Sequence, residues 1–300
     1  MLRALCQHTA YDVMPDSQKL IIFDSHLLVK KSLAALLQHR LQAAPIFHTA
    51  SGVFVGMLTV TDFIHLIIYY SSQIVDRMDP EGQPLAPVPP PTAEELERLT
   101  LETLRDIEAR MGVLQSQTYT ISPADSLHTA VRLLLDCRLH RLPIVARGLP
   151  QPPLPPDAPH YAPQYRILKF LATHYLDHPH LDIPLGQLDL GTFADRHGPL
   201  ISTTLDAPLI HVLHQFIAHG ISAVPVIDHH GNVIDVYEKY DVLMLAREGA
   251  YYDLEMPIQE ALSKRSPVFE GVHTCTREDS LRSLMVALRQ HPVHRFVVLD

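Results

Sequence analysis

The chain has 300 residues, of which 47% are hydrophobic and 19% are charged, a composition typical of a globular protein with one large or two ordinary domains. Its formal net charge of −9 argues against a nucleic-acid-binding surface. A membrane-spanning helix needs about 20 consecutive apolar residues, and no apolar run in the sequence is that long. The N-terminus lacks a signal-peptide pattern. Three cysteines without Cys-x-x-Cys spacing argue against a disulfide framework and against a thiolate zinc site. We therefore expect a cytosolic or nuclear protein that does not bind membranes.

Two proline-rich stretches separate better patterned sequence. Residues 80–91 predict a linker and residues 150–163 a surface insertion, because proline cannot supply the backbone donors of helices and sheets. Between them, the leucine spacing in residues 94–111 predicts an amphipathic helix. Ser122 and Thr276, each followed three residues later by Asp, are expected to cap the helices after them.

The remaining sequence repeats one pattern four times, at about 17–75, 118–176, 198–248 and 266–300. Each copy has a short apolar strand, an amphipathic helix, a strand of small residues, a second strand and a closing helix. The central strands align on Pro45, Pro143, Pro225 and Val297. The fourth copy stops before its last strand and helix, so one strand edge is expected to be exposed. Ordinary alternation of helices and strands in a doubly wound sheet is the alternative.

Positively charged pairs recur at one position of the repeat. The residues three positions before the central proline or its equivalent are Gln42, His140, Ser222 and His294, and the next are Ala43, Arg141, Ala223 and Arg295. His140–Arg141 and His294–Arg295 therefore share a register, and symmetric pairing of repeats would bring them together. Such a cluster predicts a phosphate site, because the arginine fork matches phosphate oxygens. Pairing of the arginines with carboxylates is the alternative.

A second recurring position lies at the start of the closing helix, where the repeats have Asp62, Arg166 and Asp241. A carboxylate there can accept hydrogen bonds from both ribose hydroxyls, although helix capping explains an aspartate equally well. Arg166 cannot accept such bonds. The sequence thus favours two intact ribose sites and an altered one in the second repeat.

These residues and strings carry a family resemblance. The repeat resembles the cystathionine-beta-synthase (CBS) domain, and four copies on one chain resemble the gamma regulatory subunits of AMP-activated protein kinase, in a fungal form. The similarity covers about 11–300 apart from the proline-rich stretches and is carried by AAPIF, VGMLTVTDFI, HRLPIV, YRILKF, SAVPVID, YEKYDVL, RSPVFEGVHTCT and VHRFVVLD.

The resemblance implies an α+β fold in which consecutive repeats pair into two modules, 1–176 and 177–300, forming a flattened disc with the last repeat incomplete. It implies no enzyme activity and no cofactor, and binding of AMP, ADP or ATP between repeats. The implied partners are a catalytic alpha subunit and a bridging beta subunit. The nucleotide ligands carried over are Met57, Thr59, Asp62, His140, Arg141, Thr192, Ser222, Ala223, Asp241, Arg265, Val272, His294 and Arg295.

Departures from the family pattern leave two functions open. Gln42 stands where animal members have a phosphate-binding arginine, and Tyr165 stands where they have a lysine. With the short fourth repeat, these changes favour a scaffold subunit with weakened nucleotide sensing. The retained arginines, histidines and aspartates favour a nucleotide sensor that regulates a kinase. No catalytic nucleophile pattern occurs, and no histidine group has the acidic partner of a zinc site.

Overall fold

The computed structural model describes residues 2–15, 21–75, 98–113, 119–137, 139–144, 160–188, 190–192, 198–247, 253–265, 269, 271–291 and 293–299. The predicted linker 80–91 and residues 150–159 of the predicted insertion lie outside these ranges. Among the described residues, no helix combines the length and apolar composition that crossing a bilayer requires.

The first and second repeats follow the predicted order of elements. The N-terminal segment contains α1 (Leu2–Gln7) and a 3-10 turn (Ala10–Val13). The first repeat contains β1 (Phe23–Asp24), α2 (Val29–Gln38), β2 (Ala43–His48), β3 (Val53–Thr59) and α3 (Val60–Val75). After α4 (Leu101–Arg110), the second repeat contains α5 (Leu127–Asp136), β4 (Arg141–Ile144), β5 (His160–Pro163) and α6 (Gln164–His174).

The third repeat is similarly complete and the fourth is shorter. A 3-10 turn (Pro179–Asp182) and α7 (Leu185–Leu188) lead to α8 (Leu209–Ala218), β6 (Ala223–Ile227), β7 (Val233–Glu238) and α9 (Lys239–Arg247). After α10 (Ile258–Ser263), the fourth repeat has β8 (Thr274–Thr276), α11 (Leu281–Gln290) and β9 (Val297–Leu299). Helices and strands alternate within small separate sheets, which confirms the predicted α+β class.

The strand register confirms the predicted alignment of the repeats. In each repeat, the residue after the aligned position pairs in parallel with the opening strand or bridge, and the second strand, where present, is antiparallel. These parallel pairs are Phe23 with Ile46, Ile121 with Ile144, Thr203 with Val226, and Cys275 with Val298. In the second and third repeats the expected opening strand is reduced to this single bridge. The four copies therefore share one backbone framework.

The described chain forms two compact units that interleave along the sequence. Unit 1 consists of 1–20, 119–200 and 272–300, and unit 2 of 21–118 and 201–271. The second and fourth repeats thus share unit 1, while the first and third share unit 2. These boundaries differ from the predicted domains, 1–176 and 177–300, because helices of repeats distant in sequence pack together. The pairing of consecutive repeats into modules stays a prediction.

Helix packing supplies the core of each unit. In unit 2, α3 packs against α4, α8 and α9, and its core includes Ile64, Leu104, Leu213 and Tyr237. In unit 1, α6 packs against α11, and the core includes Leu127, Leu142, Ile167 and Met285. Burial of such side chains stabilises each unit by about 25 cal/mol for each Å² of apolar surface.

The segment that precedes each repeat packs on the neighbouring repeat. The N-terminal segment pairs through Thr9 with Ser126 of the second repeat, whereas α4 follows the pairing of Thr100 with Leu28 of the first. Likewise, Pro184, which precedes the third repeat, pairs with Ser280 of the fourth. Pro257, which precedes the fourth repeat, pairs with Pro208 of the third. Each unit is therefore completed by segments that precede the repeats of the other unit.

The caps of two helices lie four residues later than predicted. Ser126 and Ser280 are the N-caps, and their side chains accept hydrogen bonds from the amides of Thr129 and Ser283. At the predicted cap Thr276, the backbone amide instead donates to Asp279 Oδ2 at 2.7 Å. The Asp carboxylate closes a turn before the helix, which leaves the capping to the following serine.

Candidate functional site

Asp62 occupies the third position of α3, as the repeat pattern predicts. Its Oδ2 atom accepts a hydrogen bond of 2.5 Å from the amide of Thr59, the residue before the helix. This is the backward contact of a capping box, in which an acidic side chain in the first turn binds the N-cap amide. Asp62 is only 7% exposed. Its carboxylate therefore serves a capping role in the structure.

Arg105 of α4 supplies the positive charge beside Asp62. One guanidinium nitrogen, Nη2, donates to the carbonyl of Met57 at 2.6 Å. The other, Nη1, lies 3.5 Å from Asp62 Oδ1 and 2.5 Å from Glu108 Oε2. Glu108 is 1% exposed, so this guanidinium bridges two buried carboxylates.

His65 completes the group, one turn after Asp62 on α3. Its Nδ1 atom lies 3.0 Å from Glu108 Oε1, and its side chain is buried. We refer to Asp62, His65, Arg105 and Glu108 as the Asp62 cluster. Asp62, His65 and Glu108 are close enough together to contact one cation. The guanidinium of Arg105 already lies between the two carboxylates, where a metal ion would have to sit beside another cation, so we assign no metal here.

The two carboxyl groups of the Asp62 cluster have different proton affinities. Burial, opposed by the charge of Arg105, raises the pKa of Asp62 to about 7. Burial would raise the pKa of Glu108 too, but the His65 hydrogen bond and the Arg105 charge hold it below its ordinary value. A proton added to the cluster therefore binds Asp62 first.

The third repeat has an equivalent arrangement around Asp241. Its Oδ2 atom accepts from the amide of Glu238 at 2.9 Å, again three residues earlier. Arg265 Nε donates to Asp241 Oδ1 at 3.0 Å and Nη2 donates to Oδ2 at 2.8 Å. Nη2 also donates to the carbonyl of Val236, five residues before Asp241, as Met57 is five residues before Asp62.

Asp235 shares the Arg265 guanidinium, with Oδ1 2.9 Å from Nη1. The Asp235 side chain is 28% exposed, whereas Asp241 and Arg265 are each 7% exposed. Burial raises the pKa of Asp241, and the charge of Arg265 opposes that rise. Arg265, a nucleotide ligand by resemblance, is thus an internal partner of Asp241 here, and its role as a ligand stays a prediction.

The second repeat departs at this position as expected. Arg166 lies at the third position of α6, where the other repeats have Asp62 and Asp241. Its Nη1 atom donates to the carbonyl of Val13, in the N-terminal segment, at 3.3 Å. The arginine therefore anchors that segment and provides no acceptor for a ribose.

Unit 1 contains both predicted histidine–arginine pairs, because it contains the second and fourth repeats. Partial loss of hydration lowers the pKa of His294, and the charges of Arg295 and Arg141 lower it further. Arg141 of the second repeat is thus close enough to act on His294 of the fourth. The structure brings these three residues into one positively charged neighbourhood.

Tyr165 lies beside this neighbourhood at the first turn of α6. Its ring centroid is 4.8 Å from that of His294. Its hydroxyl donates toward the carbonyls of Leu288 at 3.3 Å and His291 at 3.2 Å. The tyrosine that replaces a lysine of the animal pattern therefore ties α6 to the end of α11.

The other predicted ligands lie where strands meet closing helices. The carbonyls of His140 and Ser222 accept from the first amides of α6 and α9, at 3.1 and 3.0 Å. Ala223 begins β6, and Val272 lies just before β8. Gln42 and Thr192 are exposed. Binding of a nucleotide by these residues stays a prediction.

Sequence reasoning missed Arg105, Glu108 and His65. The spacing of Leu101, Leu104 and Glu108 places the glutamate on the apolar face of α4. A charged residue on such a face needs a buried partner, which was the available signal. The partner residues come from α3, which is too distant in sequence to be paired by periodicity.

Comparison with known proteins gives consistent results. The CBS domain family matches residues 195–248. The 5'-AMP-activated protein kinase subunit gamma of Saccharomyces cerevisiae is 38% identical, covering 97% of this chain and 84% of that protein. The subunit of the same name from Kluyveromyces lactis is 36% identical, covering 97% and 83%. The human subunit gamma-3 is 34% identical, covering 100% of this chain and 56% of that protein.

A solved structure supports the fold. The crystal structure of a Methanocaldococcus jannaschii protein, described as an archaeal homologue of the AMPK gamma subunit, superimposes with a TM-score of 0.69. The match covers 97% of this chain and 93% of the archaeal one at 12% identity, so it shows a shared fold.

Proposed function

Because the chain belongs to the family of AMP-activated protein kinase gamma subunits, we propose that it is the nucleotide-sensing, non-catalytic subunit of such a kinase. It would bind AMP, ADP or ATP and assemble with a catalytic alpha subunit and a bridging beta subunit. Ligand binding would change the balance between states of the assembled kinase. We propose a cytoplasmic or nuclear location for the complex.

The observation that carries this proposal is the positive neighbourhood of Arg141, His294 and Arg295 in unit 1. The guanidinium charges of Arg141 and Arg295 are close enough to lower the pKa of His294. A phosphate group bound beside them would accept charge-assisted hydrogen bonds from both guanidinium groups. The net charge of −9 makes such a local positive cluster a selective feature for an anion.

Asp62 and Asp241 are the proposed acceptors for ribose hydroxyls. Each is held by an amide and a guanidinium, so its orientation is fixed before a ligand arrives. A ribose would share the carboxylate with the arginine or displace it. The cost of that exchange favours modest affinity, because a buried ion pair that loses a partner is destabilised.

A scaffold subunit with weak nucleotide sensing is the second candidate. The observation that favours it is Tyr165, whose hydroxyl is engaged with the carbonyls of Leu288 and His291. A tyrosine in that position brings no positive charge toward a phosphate.

Equilibrium binding of AMP, ADP and ATP to the purified complex with its alpha and beta subunits separates the two candidates. Isothermal titration calorimetry of a sensor should show saturable binding that Arg141→Ala and Arg295→Ala both weaken. Saturable binding unaffected by either change would contradict the proposed phosphate site. Stable assembly without nucleotide binding would instead support the scaffold.

A further inference from the structure

The Asp62 cluster contains more negative than positive fixed charge. Asp62 and Glu108 are two carboxyl groups, and within the described ranges Arg105 is the permanently charged cation that contacts both. All three side chains are at most 15% exposed, so water does little to solvate an excess charge. Among the groups of the cluster itself, one further proton would balance the second carboxylate.

His65 and Glu108 determine where that proton resides. His65 Nδ1 is 3.0 Å from Glu108 Oε1, and Arg105 Nη1 is 2.5 Å from Glu108 Oε2. Both glutamate oxygens are therefore engaged with nitrogen atoms that stabilise the ionised form. Asp62 has a longer contact with Arg105, at 3.5 Å. This asymmetry directs the proton to Asp62.

One other cation faces the cluster from the third repeat, within unit 2. Lys239, the first residue of α9, has its Nζ atom 3.2 Å from Thr61 Oγ1, next to Asp62. Burial lowers the pKa of Lys239, although its positive charge and the negative charge of an ionised Asp62 stabilise each other. In the part of the chain that the structure describes, the charged or titratable groups that face Asp62 are thus Arg105, Glu108 and Lys239, and His65 contacts Glu108.

The equivalent group in the third repeat also has two carboxylates and one guanidinium, but its second carboxylate is not buried. Asp235, the second carboxylate on Arg265, is 28% exposed and can remain ionised in contact with water. Arg265 binds both oxygens of Asp241. The first and third repeats thus have the same framework, but an extra proton is needed to balance buried charge in the first repeat and not in the third.

We propose that Glu108 and His65 are positioning residues that keep one exchangeable proton in the Asp62 cluster, so that nucleoside binding at the first repeat releases this proton. The inference rests on the proposed function, in which Asp62 accepts the ribose hydroxyls. A protonated Asp62 can offer fewer acceptor sites than the ionised carboxylate. On binding, the proton passes from the cluster to solvent, and the ionised carboxylate accepts the ribose O–H groups. Affinity for a nucleoside therefore rises with pH.

The proton is measured first without any ligand. Infrared difference spectra of the full chain, recorded from pH 5 to pH 9, should contain the carbonyl stretch of a buried carboxylic acid. The Asp62→Asn variant should lack this band. Glu108→Gln removes the excess negative charge, so the band should titrate about one pH unit lower or more. His65→Leu removes a hydrogen bond that stabilises ionised Glu108, so the cluster should hold its proton to higher pH and the band should titrate at higher pH.

These opposite shifts distinguish positioning from a general loss of structure. Glu260→Gln is the matched control, since Glu260 is exposed and pairs with Lys264 at 2.9 Å outside the cluster. It should leave the band unchanged. Absence of the band in the folded wild-type chain, or an identical midpoint in Glu108→Gln and Glu260→Gln, would overturn the proposal. Circular dichroism confirms that each variant is folded.

Nucleoside binding is measured second, with adenosine, which has no phosphate that titrates near neutral pH. Wild-type affinity in the complex should rise about tenfold between pH 6 and pH 8, since Asp62 ionises in this range. In Glu108→Gln the rise should be no more than about twofold, because Asp62 is then at least about half ionised at pH 6.

The two measurements distinguish an error in the proton-release hypothesis from an error in the proposed nucleotide-sensing function. A titrating band with no adenosine or AMP binding at any pH would reject nucleotide sensing and, with it, the release step. If adenosine binding is independent of pH and the carboxylic-acid band is absent, nucleotide sensing is retained and the proton-release hypothesis is rejected.

Discussion

Arg265 holds both carboxylate oxygens of Asp241, through contacts of 3.0 and 2.8 Å from Nε and Nη2. The guanidinium carbon also lies 4.0 Å from the centre of the Phe269 ring. Both charged side chains are 7% exposed, so neither can be solvated if its partner is removed. The pair joins α9 to the segment that follows α10, and it is therefore a structural element of unit 2.

We expect Arg265→Gln to lower the free energy of unfolding by about 3–5 kcal/mol, because Asp241 would remain buried without its counter-ion. Lys264→Gln is the matched control. Its exposed pair with Glu260 should contribute no more than about 1 kcal/mol. Urea denaturation followed by circular dichroism measures both. Equal effects of the two substitutions would show that Arg265 is not the required partner.

The raised pKa of Asp62 predicts a pH dependence of stability. The folded state retains a proton between the ordinary Asp pKa of 3.8 and about 7, whereas the unfolded state releases it. The contribution of this group to stability therefore falls as pH rises through that range, by at most about 1.4 kcal/mol per pH unit.

Urea midpoints of the wild type and Asp62→Asn at pH 5, 6, 7 and 8 test this dependence. The variant should lose part of the decrease with pH, since an amide does not titrate. A decrease of the same slope in both proteins would assign the dependence to other groups.

Tyr165→Phe should lower the free energy of unfolding by about 1 kcal/mol, because the hydroxyl bond to the Leu288 and His291 carbonyls is lost while the ring remains. Tyr11→Phe provides a matched comparison at a side chain that is 68% exposed, and it should be neutral within about 0.5 kcal/mol. Indistinguishable urea midpoints for the two variants would remove the proposed connection between α6 and α11.

Arg141→Ala and Arg295→Ala should each weaken AMP binding about tenfold or more, because a charge-assisted bond to phosphate contributes about 1.5–3 kcal/mol. Arg132→Ala is the control, since Arg132 is exposed and pairs with Asp136 within α5. Calorimetry of the complex measures all three. Equal affinities for Arg132→Ala and Arg141→Ala would place the phosphate elsewhere.

Asp241→Ala should weaken adenosine and AMP binding by similar factors, since a ribose contact does not depend on phosphate. Arg141→Ala should affect AMP far more than adenosine. Competition binding with both ligands measures this contrast. A loss confined to AMP in Asp241→Ala would assign the carboxylate to the phosphate region through Arg265.

Local patterns predicted much of the framework. The position of the central strands, the closing helices and the recurring Asp62 and Asp241 all follow from residues near each other in sequence. The cap at Ser126 was misplaced because Ser122 and Asp125 offer the same chemistry four residues earlier. Choosing between two such polar pairs requires the backbone angles.

The partners of the candidate site could not be predicted in this way. Arg105 reaches Asp62 from α4, which precedes the second repeat, and Arg265 reaches Asp241 from the segment that follows α10 and precedes the fourth. Periodicity assigns a residue to a face of its own helix and says nothing about the repeat on which that helix packs. The interleaved units arise from the same long-range packing.

The exchange of leading segments also bears on synthesis of the chain. The first repeat ends at α3, yet Leu101 and Leu104 of α4 belong to its core. The ribosome must add the 35 residues from 76 to 110 before α4 can pack on α3, and the 172 residues from 76 to 247 before α9 can complete the same core. At about 5–20 residues per second, the apolar face of α3 waits about 2–7 s for α4 and about 9–34 s for α9. This interval is a period in which a nascent chain would need protection from aggregation.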